Sequence, residues 1–110
     1  MKGAVRAMPD VTVVVLAGAY ASSVGATTDL LRAVEVLAPQ VGVPPLTWRV
    51  CSVAGGDVEL TGGLRAPTIA LPGPTGVDRS TWVVPGLGIE NVDALDRRLD
   101  SDDVDTVARR

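Results

Sequence analysis

The chain is organised around an apolar run at residues 11–16, Val-Thr-Val-Val-Val-Leu. The run is rich in β-branched residues and shows little alternation with polar positions, which is typical of a strand covered on both faces, as in the middle of a parallel sheet. Small residues follow at positions 17–23, and they predict a tight turn in which Ser22 or Ser23 caps a helix.

An amphipathic helix is predicted from Val24 onward. Asp29, Arg32 and Glu35 recur at three-residue spacing on one side. The other side carries a wide apolar face formed by Leu30, Leu31, Val34, Leu37 and Ala38. Pro39 predicts the end of the helix. A buried strand that leads into an amphipathic helix is the first half of a β-α-β unit, so we expect an α/β fold with a doubly wound, mostly parallel sheet.

The remaining chain predicts short strands separated by turns. Residues 47–53 mix β-forming residues with alternation, which indicates a strand nearer a sheet edge. Gly62-Gly63 lies between two short apolar segments and predicts a hairpin or strand extension. Residues 67–78 hold three prolines and two glycines, so we expect a loop that crosses back over the sheet, before a last strand at 81–84.

Two further helices are predicted near the end of the sequence. Asn91 begins the first, and the segment at residues 100–103 caps the second. Their inward-facing side chains are predicted to be Val92, Leu95 and Leu99, then Val104, Val107 and Ala108.

Length and charge limit the classes of function. With 110 residues the chain predicts a single domain, 1–110, that is short for a complete doubly wound sheet, so we expect the sheet to be incomplete at its C-terminal side. The formal net charge is −3, without the basic patch that nucleic-acid binding requires, so we expect no direct nucleic-acid contact by this chain. No apolar stretch is long enough to span a membrane, and we expect a cytoplasmic protein.

The residue types present exclude several kinds of catalytic site. The chain has one cysteine, Cys51, and no histidine. An internal disulfide, a cysteine-based zinc site and a Ser-His-Asp arrangement are therefore excluded within it. Cys51 lies inside a predicted strand, where we expect a small buried hydrophobe rather than a reactive thiol. We expect neither a cofactor nor a metal site.

The candidate ligand site lies where the first and last strands end. Doubly wound sheets bind ligands at the carboxyl edge of their strands. The residues that follow those two strands are Ser22 and Ser23, and Gly86, Leu87 and Gly88. Two structural alternatives stand beside a binding role: the serines cap the helix, and the glycines simply end a strand.

Several segments in order resemble one known family. They are the Val-rich strand with Gly18-Ala19, the helical segment 29–33, the strand and turn at 48–56, Gly63-Leu64-Arg65, and the segment 82–88 with its Val-Pro-Gly. Together these are similar to the DJ-1/PfpI superfamily, also called class I glutamine amidotransferase-like. More narrowly, they resemble the amino-terminal half of the DJ-1/PfpI-like domain of AraC-type bacterial transcriptional regulators. The resemblance implies a flavodoxin-like fold.

Departures from that family imply a particular role. Its enzymatic members use a cysteine on a later strand-to-helix elbow, which we expect beyond residue 110, and Cys51 is not its equivalent. Their acidic residue falls at about Ser23, and Leu87 replaces the second glycine of their Pro-Gly-Gly loop. The resemblance therefore implies a non-catalytic domain, or fragment, that senses a small-molecule effector and self-associates. Two alternatives stay open: the front half of a cysteine-dependent hydrolase, hydratase or glyoxalase-like enzyme, and an inactive truncated relic.

Overall fold

The computed structural model describes residues 9–73, 78–88 and 106–107. Over these residues the chain forms a five-stranded mixed sheet in the order β3-β4-β2-β1-β5, with one long helix. The strands are β1 (Val11–Val14), β2 (Trp48–Ser52), β3 (Gly56–Glu59), β4 (Arg65–Ala70) and β5 (Thr81–Val83); the helix α1 is Ala21–Leu37, and 3-10 turns cover Ala38–Val41 and Thr61–Gly63. The predicted α/β class is confirmed.

Strand β1 is buried on both faces, as its sequence predicts. It lies between β2 and β5 and is parallel to both. Val13, Val14 and Val15 are at most 1% exposed. Because successive side chains of a strand point to opposite faces, Val13 packs in the cluster under α1, whereas Val14 packs with Cys51 on the other face. The predicted central strand is confirmed.

Helix α1 begins earlier than predicted, because its cap comes from a distant residue. It starts at Ala21, after Tyr20, and no local side chain caps it. The hydroxyl of Thr61 accepts the hydrogen bond from the Ala21 N–H at 3.0 Å. The prediction that Ser22 or Ser23 caps the helix is therefore wrong, since both lie inside its first turn. The α-helix ends at Leu37, just before Pro39, as predicted.

The covered face of α1 is narrower than the sequence predicts. Val24 and Leu31 are buried, and Ala38 is buried in the following 3-10 turn. In contrast, Leu30 is 66% exposed, Leu37 is 54% exposed and Val34 is 39% exposed. In the part of the chain that the structure describes, no second helix packs beside α1 to cover these side chains. Leu30, Val34 and Leu37 therefore form an exposed surface on α1, which we call the apolar stripe.

Two strand predictions are corrected by the sheet topology. β2 is the middle strand rather than one near the edge, because β4 pairs on its far side. Pro67 lies within β4 rather than in a loop, opposite Asp57 of β3. The pairing of β4 with β2 begins only at Ile69, so the missing N–H of Pro67 does not interrupt that ladder. The predicted hairpin is confirmed as β3 and β4, which are antiparallel.

The predicted C-terminal helices lie outside the described residues, except at positions 106–107. Thr106 and Val107 are helical, and Val107 packs against the cluster of Val14, Cys51 and Leu71 on the sheet face opposite α1. The prediction that Val107 points inward is therefore confirmed. No helix in the described ranges is long and apolar enough to cross a membrane.

A polar network lies on the same face as Val14. Register places Arg49 and Trp82 on either side of Thr12, which is completely buried. Arg49 donates from Nε to the Thr12 hydroxyl and from Nη2 to the carboxylate of Asp78, both at 2.8 Å. Trp82 donates from Nε1 to the same carboxylate oxygen at 3.0 Å, and Ser80 donates to the other oxygen from both its N–H and its hydroxyl. This network explains why β2, inside the sheet, carries the polar residue Arg49. The alternation that Arg49 creates in the sequence is what predicted a strand nearer the edge.

Ionised Asp78 is the centre of this network. Burial opposes ionisation, but the hydrogen bonds from Ser80 and Trp82 and the charge of Arg49 outweigh it, so the pKa of Asp78 lies below its ordinary value. A carboxyl group with a lowered pKa in the folded state adds stability at pH values above its unfolded pKa. That stability is lost as the pH falls through the folded pKa.

We predict that Asp78→Asn destabilises the fold by about 2 kcal/mol at pH 7, because Arg49 loses its ionised partner. The difference from the wild-type chain should be complete above about pH 5 and should shrink below about pH 4, as the pH falls toward the lowered pKa of the folded wild-type carboxyl group. Urea unfolding at pH 7 and pH 3 measures both values. Asp57→Asn, at an exposed position of β3 outside the network, is the control and should change stability little at either pH. An Asp78→Asn deficit that does not depend on pH would contradict this account.

Candidate functional site

The loops that follow β1 and β5 meet at the carboxyl edge of the sheet. The Tyr20 N–H donates to the carbonyl of Gly86 at 2.7 Å, and the Gly88 N–H donates to the carbonyl of Gly18 at 2.8 Å. Between these bonds, Ala19 and Leu87 form an antiparallel bridge. We call this pairing of residues 18–21 with 86–88, together with Thr61, the carboxyl-edge junction. The structure therefore brings together the two loops that the sequence predicts to meet.

Thr61, from the β3–β4 connection, completes the junction. Its N–H donates to the carbonyl of Ala19 at 3.0 Å, while its hydroxyl accepts from the N–H of Ala21. Nearby, the Gly18 N–H donates to the carbonyl of Glu59 at 2.9 Å. A helix N-terminus at the carboxyl edge is where doubly wound folds bind anions. Here the side chain of Thr61 takes the first N–H of α1.

Thr61 and its neighbour Leu60 are site residues that sequence reasoning missed. Leu60 is 7% exposed and belongs to the core under α1. The available signal was their position directly before Gly62-Gly63, which indicates only a turn. A hydroxyl that caps a helix 40 residues earlier in the sequence leaves no local pattern, because the fold alone brings the two segments together.

The five residues predicted to bind a ligand differ in their burial and in their hydrogen bonds at this junction. Ser22 is exposed, and Ser23 is partly buried with its carbonyl accepting from the Thr27 hydroxyl at 2.7 Å. Leu87 is half-buried and packs against the core. Gly86 and Gly88 contribute backbone hydrogen bonds to the β1 loop. A ligand role for these five residues stays a prediction.

Cys51 is a core residue. Its side chain is completely buried and packs with Val14 and Leu71. Burial raises the pKa of the Cys51 thiol, although the positive charge of Arg49 acts in the opposite direction. The prediction of a small buried hydrophobe is confirmed.

An open cleft lies between α1, β2 and β4, and its lining includes Ala21 of the carboxyl-edge junction and the neighbouring Leu60. It has a volume of about 370 Å³, within the usual range for small-molecule sites. We call it the α1 cleft. It is lined by Ala21, Val24, Gly25, Thr28 and Arg32 of α1, by Trp48 and Val50 of β2, and by Leu60, Leu64, Arg65, Ala66 and Pro67. It forms because α1 covers β1 and β2 while β4 extends beyond it.

The α1 cleft has the composition of a binding site rather than a reactive one. Its lining contains no carboxylate, thiol or imidazole. Its charged residues are Arg32 and Arg65, and a guanidinium group offers hydrogen-bond donors but no acceptor. The Thr28 hydroxyl already donates to the carbonyl of Val24 at 3.0 Å. The indole of Trp48 donates to Glu35 at 2.9 Å, which fixes the aromatic wall.

A larger opening of about 640 Å³ lies at the amino edge of the sheet. Its lining includes Asp10, whose carboxylate accepts hydrogen bonds from both the N–H and the hydroxyl of Thr47. This opening lies at the end of the strands opposite the carboxyl-edge junction, and none of its lining residues is buried, whereas Val24, Leu60 and Ala66 line the α1 cleft. We therefore treat the α1 cleft as the candidate site.

Comparison with known proteins adds no assignment. No protein-family model matches the chain, and neither the curated proteins nor the solved structures contain a significant match.

We predict that Gly88→Ala destabilises the carboxyl-edge junction, whereas Gly86→Ala does not. A Cβ atom at Gly88 would lie 2.7 Å from Cγ2 of Thr61 and 3.2 Å from the carbonyl oxygen of Gly18. Such overpacking costs about 1–3 kcal/mol. At Gly86 the contact is an ordinary 3.6 Å to the ring of Tyr20. Urea unfolding of both variants measures the difference.

The double variant Gly88→Ala with Thr61→Ser identifies the cause. Serine lacks Cγ2 but keeps the hydroxyl that caps α1, so most of the lost stability should return. If the double variant is less stable than Gly88→Ala alone, the proposed clash with Thr61 is not the cause.

Proposed function

We propose that this chain is a non-catalytic domain that senses a small molecule and dimerises. We further propose that its fold is flavodoxin-like and that it belongs to an AraC-type bacterial regulator of the DJ-1/PfpI-like kind. In this proposal the protein is cytoplasmic, and the DNA-binding helix-turn-helix lies in another part of the protein. Its support is the ordered set of motifs in the sequence, together with the parallel β2-β1-β5 arrangement and the α1 crossover.

The α1 cleft is the observation that carries the sensing role. Buried apolar side chains form its floor, and it is open to solvent at two arginines. None of its lining groups acts as a nucleophile or a general base at neutral pH. A molecule bound there would be held without being transformed, which is what a sensor requires.

The enzymatic alternative finds less support in the described residues. It needs a carboxylate at the entrance to the first helix, where this chain has Ser23. Its nucleophile would be a cysteine on a later strand-to-helix elbow, because Cys51 is enclosed in the core and is not the equivalent of that residue. The remaining alternative, an inactive relic, predicts that the chain binds nothing.

The apolar stripe on α1 supports dimerisation with a second copy of the chain. Leu30, Val34 and Leu37 are all exposed, at spacings of four and three residues along α1. This spacing is the one that helices use to pack along a seam. The exposed small residues Ala26 and Ala33 border the stripe and allow the backbones to approach closely. A two-fold axis would pair the stripe with itself and cover it in both copies.

We expect a panel of small molecules of mixed chemistry to contain ligands that raise the Tm of the chain. A ligand at 100 times its Kd adds about 2.7 kcal/mol of stability. For a domain of this size the corresponding rise in Tm is roughly 10 °C. Mass spectrometry should recover the ligand unchanged. Cys51→Ala should bind it equally well; recovery of a chemically altered ligand would favour the enzyme, and a panel without any ligand would contradict sensing.

We predict that Leu30→Glu combined with Leu37→Glu converts a dimer to a monomer. Two charges buried at the seam would have no partner, which is strongly unfavourable. Sedimentation velocity at a chain concentration of about 100 µM measures the change. A dimer whose Kd lies well above the nanomolar range is still populated at this concentration. Ile69→Glu replaces an equally exposed apolar residue on β4 and should leave the dimer intact. A wild-type chain that sediments as a monomer would overturn the dimerisation proposal.

A further inference from the structure

We propose that the α1 cleft binds a small carboxylic acid with an apolar body. The carboxylate would lie between the guanidinium groups of Arg32 and Arg65, and the apolar body would rest on the floor of the cleft. This inference rests on the sensing function proposed above and names the chemical class of its ligand.

The charges around the cleft favour an anion. Arg32 comes from the helical wall and Arg65 from the start of β4, so a ligand in the cleft lies between cations from two different elements. In the described residues the ion pair of the chain joins Arg49 to Asp78, on the opposite sheet face, and neither cleft arginine has a carboxylate partner. No acidic residue lines the cleft, although the whole chain carries a net charge of −3. The charged lining residues are therefore both cationic, although two carboxylates adjoin the cleft: Glu35 accepts a hydrogen bond from Trp48, and Glu59 lies opposite Arg65 in the β3–β4 register.

The geometry of the arginine guanidinium group favours a carboxylate over other small anions. A guanidinium group presents paired N–H donors that match the two oxygens of a carboxylate. Both arginines are exposed at the mouth of the cleft, whereas Val24, Leu60 and Ala66 are buried at its floor. An inorganic anion would leave that apolar floor in contact with water. A ligand with a charged head and an apolar body satisfies both parts.

The aromatic wall limits the shape of the apolar body. Trp48 is held by its bond to Glu35, so its ring presents a fixed side to the cleft. With about 370 Å³ available, the cleft lies near the lower end of the volumes found for ligand sites. A short aliphatic chain or a single aromatic ring suits this volume better than a nucleotide or a cofactor.

The test is isothermal titration calorimetry of the full chain with hexanoate and phenylacetate, each compared with the corresponding neutral alcohol. We expect saturable binding of at least one acid and much weaker binding of its alcohol. Arg32→Gln and Arg65→Gln should each weaken binding about tenfold or more, because each removes a charge-assisted contact. Arg79→Gln removes the same charge from an exposed position outside the cleft and should bind like the wild type.

Further variants separate a binding effect from a folding effect. Arg32→Lys and Arg65→Lys keep the charge but lose the paired donors, so they should bind more weakly than wild type and more tightly than the glutamine variants. All variants should unfold at the same urea concentration as the wild type. Loss of binding that only follows loss of stability would overturn the assignment of these arginines.

The remaining outcomes show whether the proposed ligand class or the proposed sensing function is wrong. Equal affinity for acid and alcohol, or equal affinity in the glutamine variants, would overturn the carboxylate assignment. Binding of an acidic peptide in place of small acids would do the same. If neutral or cationic molecules from the mixed panel bind while carboxylates do not, the ligand class is wrong and sensing stands. If no small molecule binds, both proposals fail.

Discussion

The structure depends on the burial of β1 on both of its faces. Because side chains alternate along a strand, Val13 packs under α1 while Val14 packs with Cys51 on the far side. The same alternation puts Thr12 on the face of Arg49 and Asp78, where hydrogen bonds must satisfy a completely buried hydroxyl. A one-residue shift in register would exchange these environments, placing Thr12 under α1 and the valines against the polar network. One strand therefore determines both cores and the environment of the thiol.

The closure of the carboxyl-edge junction explains where the open cleft lies. Backbone pairing of Tyr20 with Gly86, and of Gly18 with Gly88, joins the two loops at this edge. Thr61 accepts a hydrogen bond from the first N–H of α1, one of the groups with which helix N-termini bind anions. Next to this junction, the α1 cleft stays open between α1, β2 and β4. In the described ranges, two surfaces beside α1 are exposed, the α1 cleft and the apolar stripe.

Patterns within short segments of the sequence predicted the strands, the helix and the hairpin that those segments form. The β-branched run gave β1, the three-residue polar spacing gave α1, and Gly62-Gly63 gave the hairpin. Contacts between distant segments were not visible. The cap from Thr61 moved the start of α1 to Ala21, and the pairing of Pro67 with Asp57 placed a proline inside a strand. The α1 cleft was not predicted for the same reason. Arg32 and Arg65 belong to different segments of the sequence, and only the fold places them around one opening.

The central claim is that ligands enter the α1 cleft rather than the carboxyl-edge junction. Amide chemical-shift mapping by NMR during a titration with phenylacetate tests it most directly, because both regions contain assignable backbone N–H groups. We expect the largest changes at Gly25, Thr28 and Ala66, which line the cleft, and small changes at Gly86 and Gly88. Changes concentrated at Ser22, Ser23 and Gly86 to Gly88, with none at the cleft, would contradict the account and support the ligand site predicted from sequence alone.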